Sequence, residues 1–211
     1  MNIFIVRHAL TSDGEKHLWQ SPDSKLSKIG RLQTKSLAER SRFREVKQIF
    51  SSEMTRSIET ANIISEVLGI PVKKFEVLRE RKQTSKIYKA DYSSQISQSY
   101  LQGSQKNFMN LDWKFKPDEE SIRNVIERVK TFIKFLESVE DKDSVLIISH
   151  DIFIRIFVIL CTLGMNIEDK IFIRMLYSIC TAPTGITLMT HRQGSSIWKL
   201  KYLNDYSHSR L

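Results

Sequence analysis

The sequence predicts an α/β fold in which a mostly parallel central sheet is flanked by helices on both faces, with an antiparallel edge and an irregular lid insertion. Apolar runs at residues 3–6 and 145–148 have the length and the branched side chains of strands buried in a parallel sheet. Between them, helical patterns alternate with further short apolar runs, as in βαβ units. We therefore expect one domain over residues 1–211, in which residues 79–116 form the insertion.

Polar residues follow both of these strands at the point where each strand ends. Residues 2–6 are followed at once by Arg7 and His8, and residues 144–149 are followed by His150. Ligands of open α/β sheets bind beyond the carboxyl ends of the strands, so these side chains lie where a ligand arrives. A single histidine at a strand end is more often an ordinary polar residue. Two of them predict one site built from both ends of the chain.

The chain between the first two strands begins with a polar loop over residues 9–25. Two helices are predicted over residues 27–43 and 52–68, each beginning at a serine, which is a favourable N-cap. A short strand over residues 46–50 separates them. The N-caps are Ser27 and Ser52, and the stripe of the first helix contains Ile29, Leu32, Ser36, Leu37 and Ala38.

The regular pattern ends after a third strand, which is predicted over residues 72–78. Residues 79–116 are rich in Ser, Gln and Lys, and they contain one short predicted helix over residues 91–101. Irregular segments of this length inside a compact domain are usually functional lids or disordered loops. We therefore expect this insertion to supply walls of the ligand pocket.

The second half of the chain contains the clearest helix. Apolar residues recur at intervals of three and four between Ile122 and Leu136, which is typical of an amphipathic helix. A buried helix is predicted over residues 152–163 and a short one over residues 167–174. Strands over residues 185–189 and 197–203 then form the antiparallel edge.

Composition and charge limit the function classes. The chain is 41% hydrophobic and 27% charged, which is typical of globular proteins, and its net charge of +9 favours anionic partners. A solvated lysine-rich surface explains the charge equally well. No dense basic run with interleaved aromatic residues is present, so we expect no nucleic-acid partner. The most apolar late stretch carries Arg155 and is too short to cross a bilayer, so we expect no membrane partner.

The two cysteines, Cys161 and Cys180, lack the spacing of metal ligands. They are expected to be free, buried thiols in a reducing compartment. The chain starts directly with the first strand and shows no export signal, so a cytoplasmic location is predicted.

The polar strand ends also carry a family resemblance. Residues 6–11 (VRHALT) resemble the Arg-His-Gly signature of the histidine phosphatase superfamily, which includes phosphoglycerate mutases and many phosphatases. Six further segments resemble motifs of that family in the same order, and together they span nearly the whole chain. They are residues 26–33 (LSKIGRLQ), 51–61 (SSEMTRSIETA), 78–81 (LRER), 120–129 (ESIRNVIERV) and 148–150 (ISH), and residues 203–208 (LNDYSH) complete the series.

The resemblance implies the roles of individual residues in phosphoryl transfer. It identifies His8 as the nucleophile, and a neutral imidazole can hold the phosphoryl group covalently. Arg7, Arg56 and His150 would bind the phosphate, and arginine forks suit its oxygens. Glu80 matches the acid that protonates the leaving group and later deprotonates water. We expect no metal or other cofactor, because two arginines and two histidines already neutralise the phosphate.

Several positions depart from the family pattern. Ala9 stands where the family often has glycine, and Asp151 replaces a common glycine after the second histidine. A carboxylate there is unfavourable beside an anion unless it faces away, for example as a helix N-cap. Residues 12–14 and 82–85 lack the mutase pattern. The implied function is hydrolysis of a phosphorylated small molecule, and a mutase or a non-catalytic phospho-ligand binding protein remains the alternative.

A basic cluster surrounds the candidate acid. Arg79, Arg81, Lys82 and Lys86 open the insertion, where they could steer a substrate that carries a second anionic group. The alternative is a solvated loop whose charges do nothing specific.

Overall fold

The computed structural model describes residues 1–139 and 143–209 and contains one six-stranded sheet. The strands are β1 (Asn2–Arg7), β2 (Val46–Ser51), β3 (Val72–Lys74), β4 (Ser144–Ser149), β5 (Ile186–His191) and β6 (Trp198–Asp205). Their order is β3-β2-β4-β1-β5-β6. The first four are parallel, whereas β5 runs antiparallel to β1 and β6 antiparallel to β5. This architecture confirms the predicted fold class and its antiparallel edge.

Helices cover both faces of the sheet. They are α1 (Ser12–Glu15), α2 (Lys28–Ala38), α3 (Thr55–Leu68), α4 (Gln95–Lys106), α5 (Ile122–Glu137), α6 (Asp151–Leu163) and α7 (Asp169–Ser178). Helices α2 and α3 pack on one face, and α5, α6 and α7 contribute to the core on the other. Alternate residues of β1 pack into two hydrophobic cores, one on each face of the sheet. Ile3 and Ile5 face α5 and α6, whereas Phe4 and Val6 face α2 and α3. This two-sided burial explains the continuous apolar run in the strand.

The register of the central strands brings the two predicted histidines together. Arg7 in β1 lies opposite Ser149 in β4, and the backbone N–H of His8 donates to the Ser149 carbonyl at 2.9 Å. β1 and β4 therefore end side by side at the same edge of the sheet. His8 and His150, the residues that follow these strands, are neighbours in space. The N–H of Ser52, just after β2, donates to the Ile148 carbonyl at 3.1 Å. The end of a third strand thus borders the same place.

Helix α2 begins as predicted but buries a different face. The Ser27 side chain caps it by accepting from the Gly30 N–H, and the helix ends at Ala38 before a 3-10 turn at Ser41–Glu45. Ile29 and Leu32, which were predicted on the buried stripe, are half exposed. The buried face is formed by Gly30, Thr34, Leu37 and Ala38.

This face is decided by a close backbone contact at Gly30. A Cβ atom there would lie 2.0 Å from the carbonyl oxygen of Leu10, which cannot move away as a flexible side chain could. We expect Gly30→Ala to destabilise the protein by roughly 1–3 kcal/mol despite the better helix propensity of alanine, because overpacking displaces the chain. Urea titration measures the change in the free energy of unfolding. Gly103→Ala in α4 is the control, because its Cβ meets only side-chain atoms, those of the Trp113 ring at 3.0 Å and of the Phe115 ring at 3.8 Å.

Two predicted element ends are wrong. Met54, not Ser52, is the N-cap of α3, and the Ser52 hydroxyl instead accepts from the Met54 N–H at 3.2 Å. Strand β3 ends at Lys74 rather than residue 78, because its partner strand β2 ends at Ser51. The Phe75 N–H donates to the Ser51 carbonyl at 2.8 Å, and a 3-10 turn at Glu76–Leu78 follows.

The loop of residues 9–25 contains the short helix α1, which was not predicted, with Thr11 as its N-cap. It also holds the insertion in place, because Trp19 exchanges backbone hydrogen bonds with Ala90 (3.0 Å) and Lys89 (2.7 Å). Within the insertion, the predicted helix at residues 91–101 begins later, at Gln95, and continues to Lys106.

The C-terminal elements follow the predicted order with shifted ends. Helix α7 covers Asp169–Ser178 instead of residues 167–174, and both final strands extend two residues further than predicted. Cys161 is buried as expected, but Cys180 is exposed, so the prediction of two buried thiols is wrong for Cys180. No helix in residues 1–139 and 143–209 is long and apolar enough to cross a membrane.

Candidate active site

His8 lies just beyond β1, and its two ring nitrogens have different partners. Its Nδ1 is 2.8 Å from the carbonyl of its neighbour Ala9, an acceptor, so Nδ1 carries the proton. Nε2 then accepts a hydrogen bond from Nε of Arg56 at 3.1 Å. Burial, and then the charges of Arg56 and Arg7, lower the pKa of His8 well below its usual value. The imidazole is therefore neutral near pH 7, with a lone pair on Nε2 that faces the arginine.

Arg56 is held rigidly in the first turn of α3. Besides its bond to His8, its Nη1 donates to the Ser21 carbonyl at 2.9 Å. Burial lowers the pKa of Arg56 to about 10, which leaves it charged at neutral pH. One turn along the helix, the hydroxyl of Thr60 accepts from the Ala9 N–H at 3.1 Å. These contacts attach the chain after His8 to α3.

Arg7 approaches the site from the end of β1. Its Nη1 donates to the Thr181 carbonyl at 2.5 Å and lies 4.0 Å from a carboxylate oxygen of Asp151. Asp151 is not the N-cap of α6, and its carboxylate lies in the wall of the cavity beside the site instead of facing away. His150 has the extended backbone of the N-cap residue, which places Asp151 in the first turn of α6. From there its carboxylate reaches Arg155, one turn later.

His150 lies behind His8, with the ring centroids 5.1 Å apart. Its Nε2 is 2.9 Å from the Ser52 hydroxyl and 3.1 Å from the Ser57 hydroxyl, and all three residues are buried. Its Nδ1 has no hydrogen-bond partner among the described residues. Burial and the charge of Arg56 lower the pKa of His150 well below its usual value. Sequence reasoning missed both serines, although both lie in the recognised segment 51–61.

Glu80 enters the site from the chain after the 3-10 turn. The Ser149 hydroxyl donates to the Leu78 carbonyl at 2.8 Å, which ties this turn to β4. One carboxyl oxygen of Glu80 accepts from the Arg81 N–H at 2.9 Å, and the other lies 3.4 Å from the Ile152 N–H at the start of α6. Burial, and then the charge of Asp151, raise the pKa of Glu80 above its ordinary value. Glu80 is thus a carboxyl group that binds a proton more readily than an exposed glutamate.

The basic cluster around Glu80 is divided by the fold. Arg79 donates two hydrogen bonds to the Glu120 carboxylate, at 2.6 and 2.8 Å, and thereby connects the start of the insertion to the chain before α5. Arg81 lines the cavity that lies beside His8 and Glu80, whereas Lys82 and Lys86 are exposed. Only one of the four cations therefore reaches the cavity.

A cavity of about 340 Å³ lies beside His8, but His150 is not among the residues that line it. Arg7, His8, Arg56 and Glu80 lie along its wall, and much of the rest is aromatic. The aromatic residues are Trp19, Tyr88, Tyr92, Tyr100 and Tyr177. They come from the loop after β1, the insertion and the end of α7, so no local sequence pattern marked them as neighbours. Among the described residues, no group of three or more His, Cys, Asp or Glu side chains could hold a metal ion.

The chain resembles known proteins in both sequence and fold. Residues 3–205 match the family model of the histidine phosphatase superfamily, branch 1. The chain is 30% identical to the putative phosphoserine phosphatase 2 of Hydrogenobacter thermophilus, over 99% of this chain and 97% of that protein. Among solved structures, YhfR of Bacillus stearothermophilus superposes with a TM-score of 0.82 at 20% identity, over 99% of both chains. A mycobacterial glucosyl-3-phosphoglycerate phosphatase gives 0.81 at 20% identity, over 96% of this chain and 98% of that one.

Proposed function

Because the chain belongs to the histidine phosphatase superfamily (branch 1), we propose that it hydrolyses a phosphomonoester through a phosphohistidine on His8. The sequence-based prediction of a phosphatase is confirmed by its phosphatase relatives. The observation that supports the covalent step is the state of His8. The Nδ1–H donates to the Ala9 carbonyl, so the lone pair of the ring is on Nε2, where it accepts from Arg56, and both side chains line the cavity.

In the first half of the reaction, Nε2 of His8 attacks phosphorus in line with the ester oxygen. A phosphorus–nitrogen bond forms, the ester bond to phosphorus breaks, and Glu80 donates its proton to the departing alkoxide. Arg7, Arg56 and His150 stabilise the charge on the other phosphoryl oxygens. Arg56 exchanges its hydrogen bond with His8 for one with a phosphoryl oxygen, which frees the lone pair for attack.

In the second half, water attacks the phosphohistidine from the side that the alcohol has left. Glu80 is now ionised and takes a proton from this water, after which inorganic phosphate leaves and His8 is regenerated. One carboxyl group thus alternates between acid and base. The raised pKa of Glu80 suits this alternation, because burial and the charge of Asp151 help the carboxyl group to hold the proton that the leaving group needs.

The pH dependence follows from these two titrations. Attack requires neutral His8, whose pKa is lowered, and protonated Glu80, whose pKa is raised. We expect kcat/KM for an alkyl phosphate to be highest at mildly acidic pH and to fall as pH rises through the pKa of Glu80. In Glu80→Gln this alkaline fall should disappear along with most of the activity. Activity towards 4-nitrophenyl phosphate should suffer less, because that leaving group needs little protonation. Equal losses on both substrates would contradict the acid role.

The substrate is proposed to be a phosphorylated small molecule. The cavity has room for an organic group beside the phosphate, and aromatic side chains supply much of its wall. Residues 79–116 contribute several of these side chains, and we assign the segment the role of a lid. A cytoplasmic location and the absence of nucleic-acid and membrane partners remain predictions.

Phosphate release from a panel of phosphomonoesters tests the function. The panel contains O-phosphoserine, glucosyl-3-phosphoglycerate, α-ribazole 5′-phosphate and 4-nitrophenyl phosphate. A parallel reaction with 3-phosphoglycerate and its bisphosphate detects isomer exchange. Phosphate release confirms a phosphatase, exchange without release indicates a mutase, and binding without either indicates a non-catalytic phospho-ligand protein.

A further inference from the structure

A second carboxylate, that of Asp151, lies in the wall of the catalytic cavity together with Glu80. Its oxygen Oδ1 is 4.0 Å from Nη1 of Arg7, one of the proposed phosphate ligands. A fixed negative charge at this place repels a phosphate and weakens the attraction that Arg7 provides. The catalytic steps described above assign Asp151 no role.

Asp151 is held in its ionised form by a set of donors. Arg155 binds both carboxylate oxygens, with Nε to Oδ1 at 3.0 Å and Nη2 to Oδ2. The Thr181 hydroxyl donates to Oδ1 at 2.7 Å. Burial alone would raise the pKa of Asp151, but the hydrogen bonds from Arg155 and then the charge of Arg7 lower it below its usual range. The site is therefore built to keep this charge.

Asp151 also acts on Glu80 across the start of α6. The backbone N–H of Ile152, the residue next to Asp151, is 3.4 Å from the Glu80 carboxyl. After burial, the charge of Asp151 is the main influence that raises the pKa of Glu80. Asp23, Glu53 and Glu76 line a neighbouring pocket together with Glu80, but the charged groups that oppose the effect of Asp151 are four arginines. They are Arg7 from β1, Arg56 from α3, Arg128 from α5 and Arg155 from α6.

We propose that Asp151 is a charge-balancing residue, which keeps the proton on Glu80 against four surrounding arginines and weakens the retention of phosphate in the site. Its role in turnover rests on the proposed function of Glu80. Without Asp151, the arginines would favour ionised Glu80 and would hold inorganic phosphate longer. With it, the enzyme has a proton for the leaving group and releases its second product readily.

This role predicts effects opposite to those of a structural role. Asp151→Asn retains the shape of the side chain, and its amide oxygen can still accept from Thr181 and Arg155. Arg7 keeps its bond to the Thr181 carbonyl. We expect the Kd of inorganic phosphate to fall by roughly three- to tenfold, because a negative charge next to Arg7 has been removed. The alkaline fall of kcat/KM should move to lower pH, because Glu80 loses its proton more easily.

The experiment uses isothermal titration of inorganic phosphate, together with pH profiles on an alkyl phosphate. Asp112→Asn is the matched control: it removes a carboxylate on the surface, paired with Arg123, and should change neither quantity. Asp151→Gly is the second variant in case the asparagine variant does not fold. In Asp151→Asn, Arg155 loses its carboxylate partner and could itself bind phosphate. The double variant Asp151→Asn with Arg155→Met tests this, and it should keep part of the increase in phosphate affinity.

The results separate the possibilities. Charge balancing is supported if Asp151→Asn binds phosphate more tightly and if its kcat/KM falls at a lower pH than that of the wild type. Weaker phosphate binding by Asp151→Asn, with an unshifted pH profile, would show that Asp151 only supports Arg7. If the double variant binds phosphate no more tightly than the wild type, the gain in affinity would be due to Arg155. Either result overturns the proposal. If the wild-type enzyme hydrolyses nothing, the proposed function fails, and the phosphate titration still decides the charge effect.

Discussion

Replacing His8 with alanine is expected to lower kcat by roughly 10⁴-fold or more, the scale of losing a catalytic nucleophile. The fold should persist, because His8 belongs to neither of the two hydrophobic cores. Steady-state phosphate release measures the activity, and circular dichroism checks the fold. In the wild-type enzyme, rapid quenching of a ³²P-labelled substrate should trap a phosphoprotein that is labile to acid and stable to alkali, as phosphorus–nitrogen bonds are. His8→Ala should trap none.

A matched pair of substitutions provides the control for this result. His8→Asn and His17→Asn remove one imidazole each, but His17 is exposed and does not line the cavity. Asparagine also tolerates the positive φ of 55° at position 17. His17→Asn should keep wild-type activity and labelling. Substantial turnover in His8→Asn, or label trapped in it, would mean that another group accepts the phosphoryl group.

Replacing Arg56 with lysine is expected to cost roughly 2–4 kcal/mol of transition-state stabilisation, although the positive charge is retained. Arg56 uses separate nitrogens for His8 and for the Ser21 carbonyl, and a lysine ammonium cannot copy this fork. The loss should therefore appear as a fall in kcat/KM of roughly 30- to 900-fold.

The control for Arg56 is Arg123→Lys, an exchange on the exposed side of α5 where Arg123 pairs with Asp112 and Asp169. It should leave kcat/KM unchanged. The affinity for vanadate is an independent measurement, because this anion resembles a phosphoryl group. It reports whether the Arg56 guanidinium binds such a group even when no turnover takes place. Near wild-type activity and vanadate affinity in Arg56→Lys would show that Arg56 does not bind the phosphoryl group.

Sequence reasoning predicted the elements whose signals are local. Strands β1 and β4 are continuous apolar runs because both of their faces are buried. Helix α5 shows a complete apolar stripe because one face packs on the core. The polar residues that end these strands identified the candidate site before any contact was known. The structure places Arg7, His8, Arg56 and Glu80 in the wall of one cavity, with His150 next to His8.

The sequence by itself determined the fold class, the strand ends that carry histidine and the family, because these depend on hydrophobic periodicity and on residues adjacent in the chain. Only the tertiary structure decided features that depend on distant partners. The close contact of Gly30 with Leu10 selected the buried face of α2. The ion pair with Glu120 turns Arg79 away from the cavity. Hydrogen bonds from Arg155 and Thr181 hold the Asp151 carboxylate in the cavity wall. Such contacts join residues far apart in sequence or in different elements, so their energies leave no periodic signal along the chain.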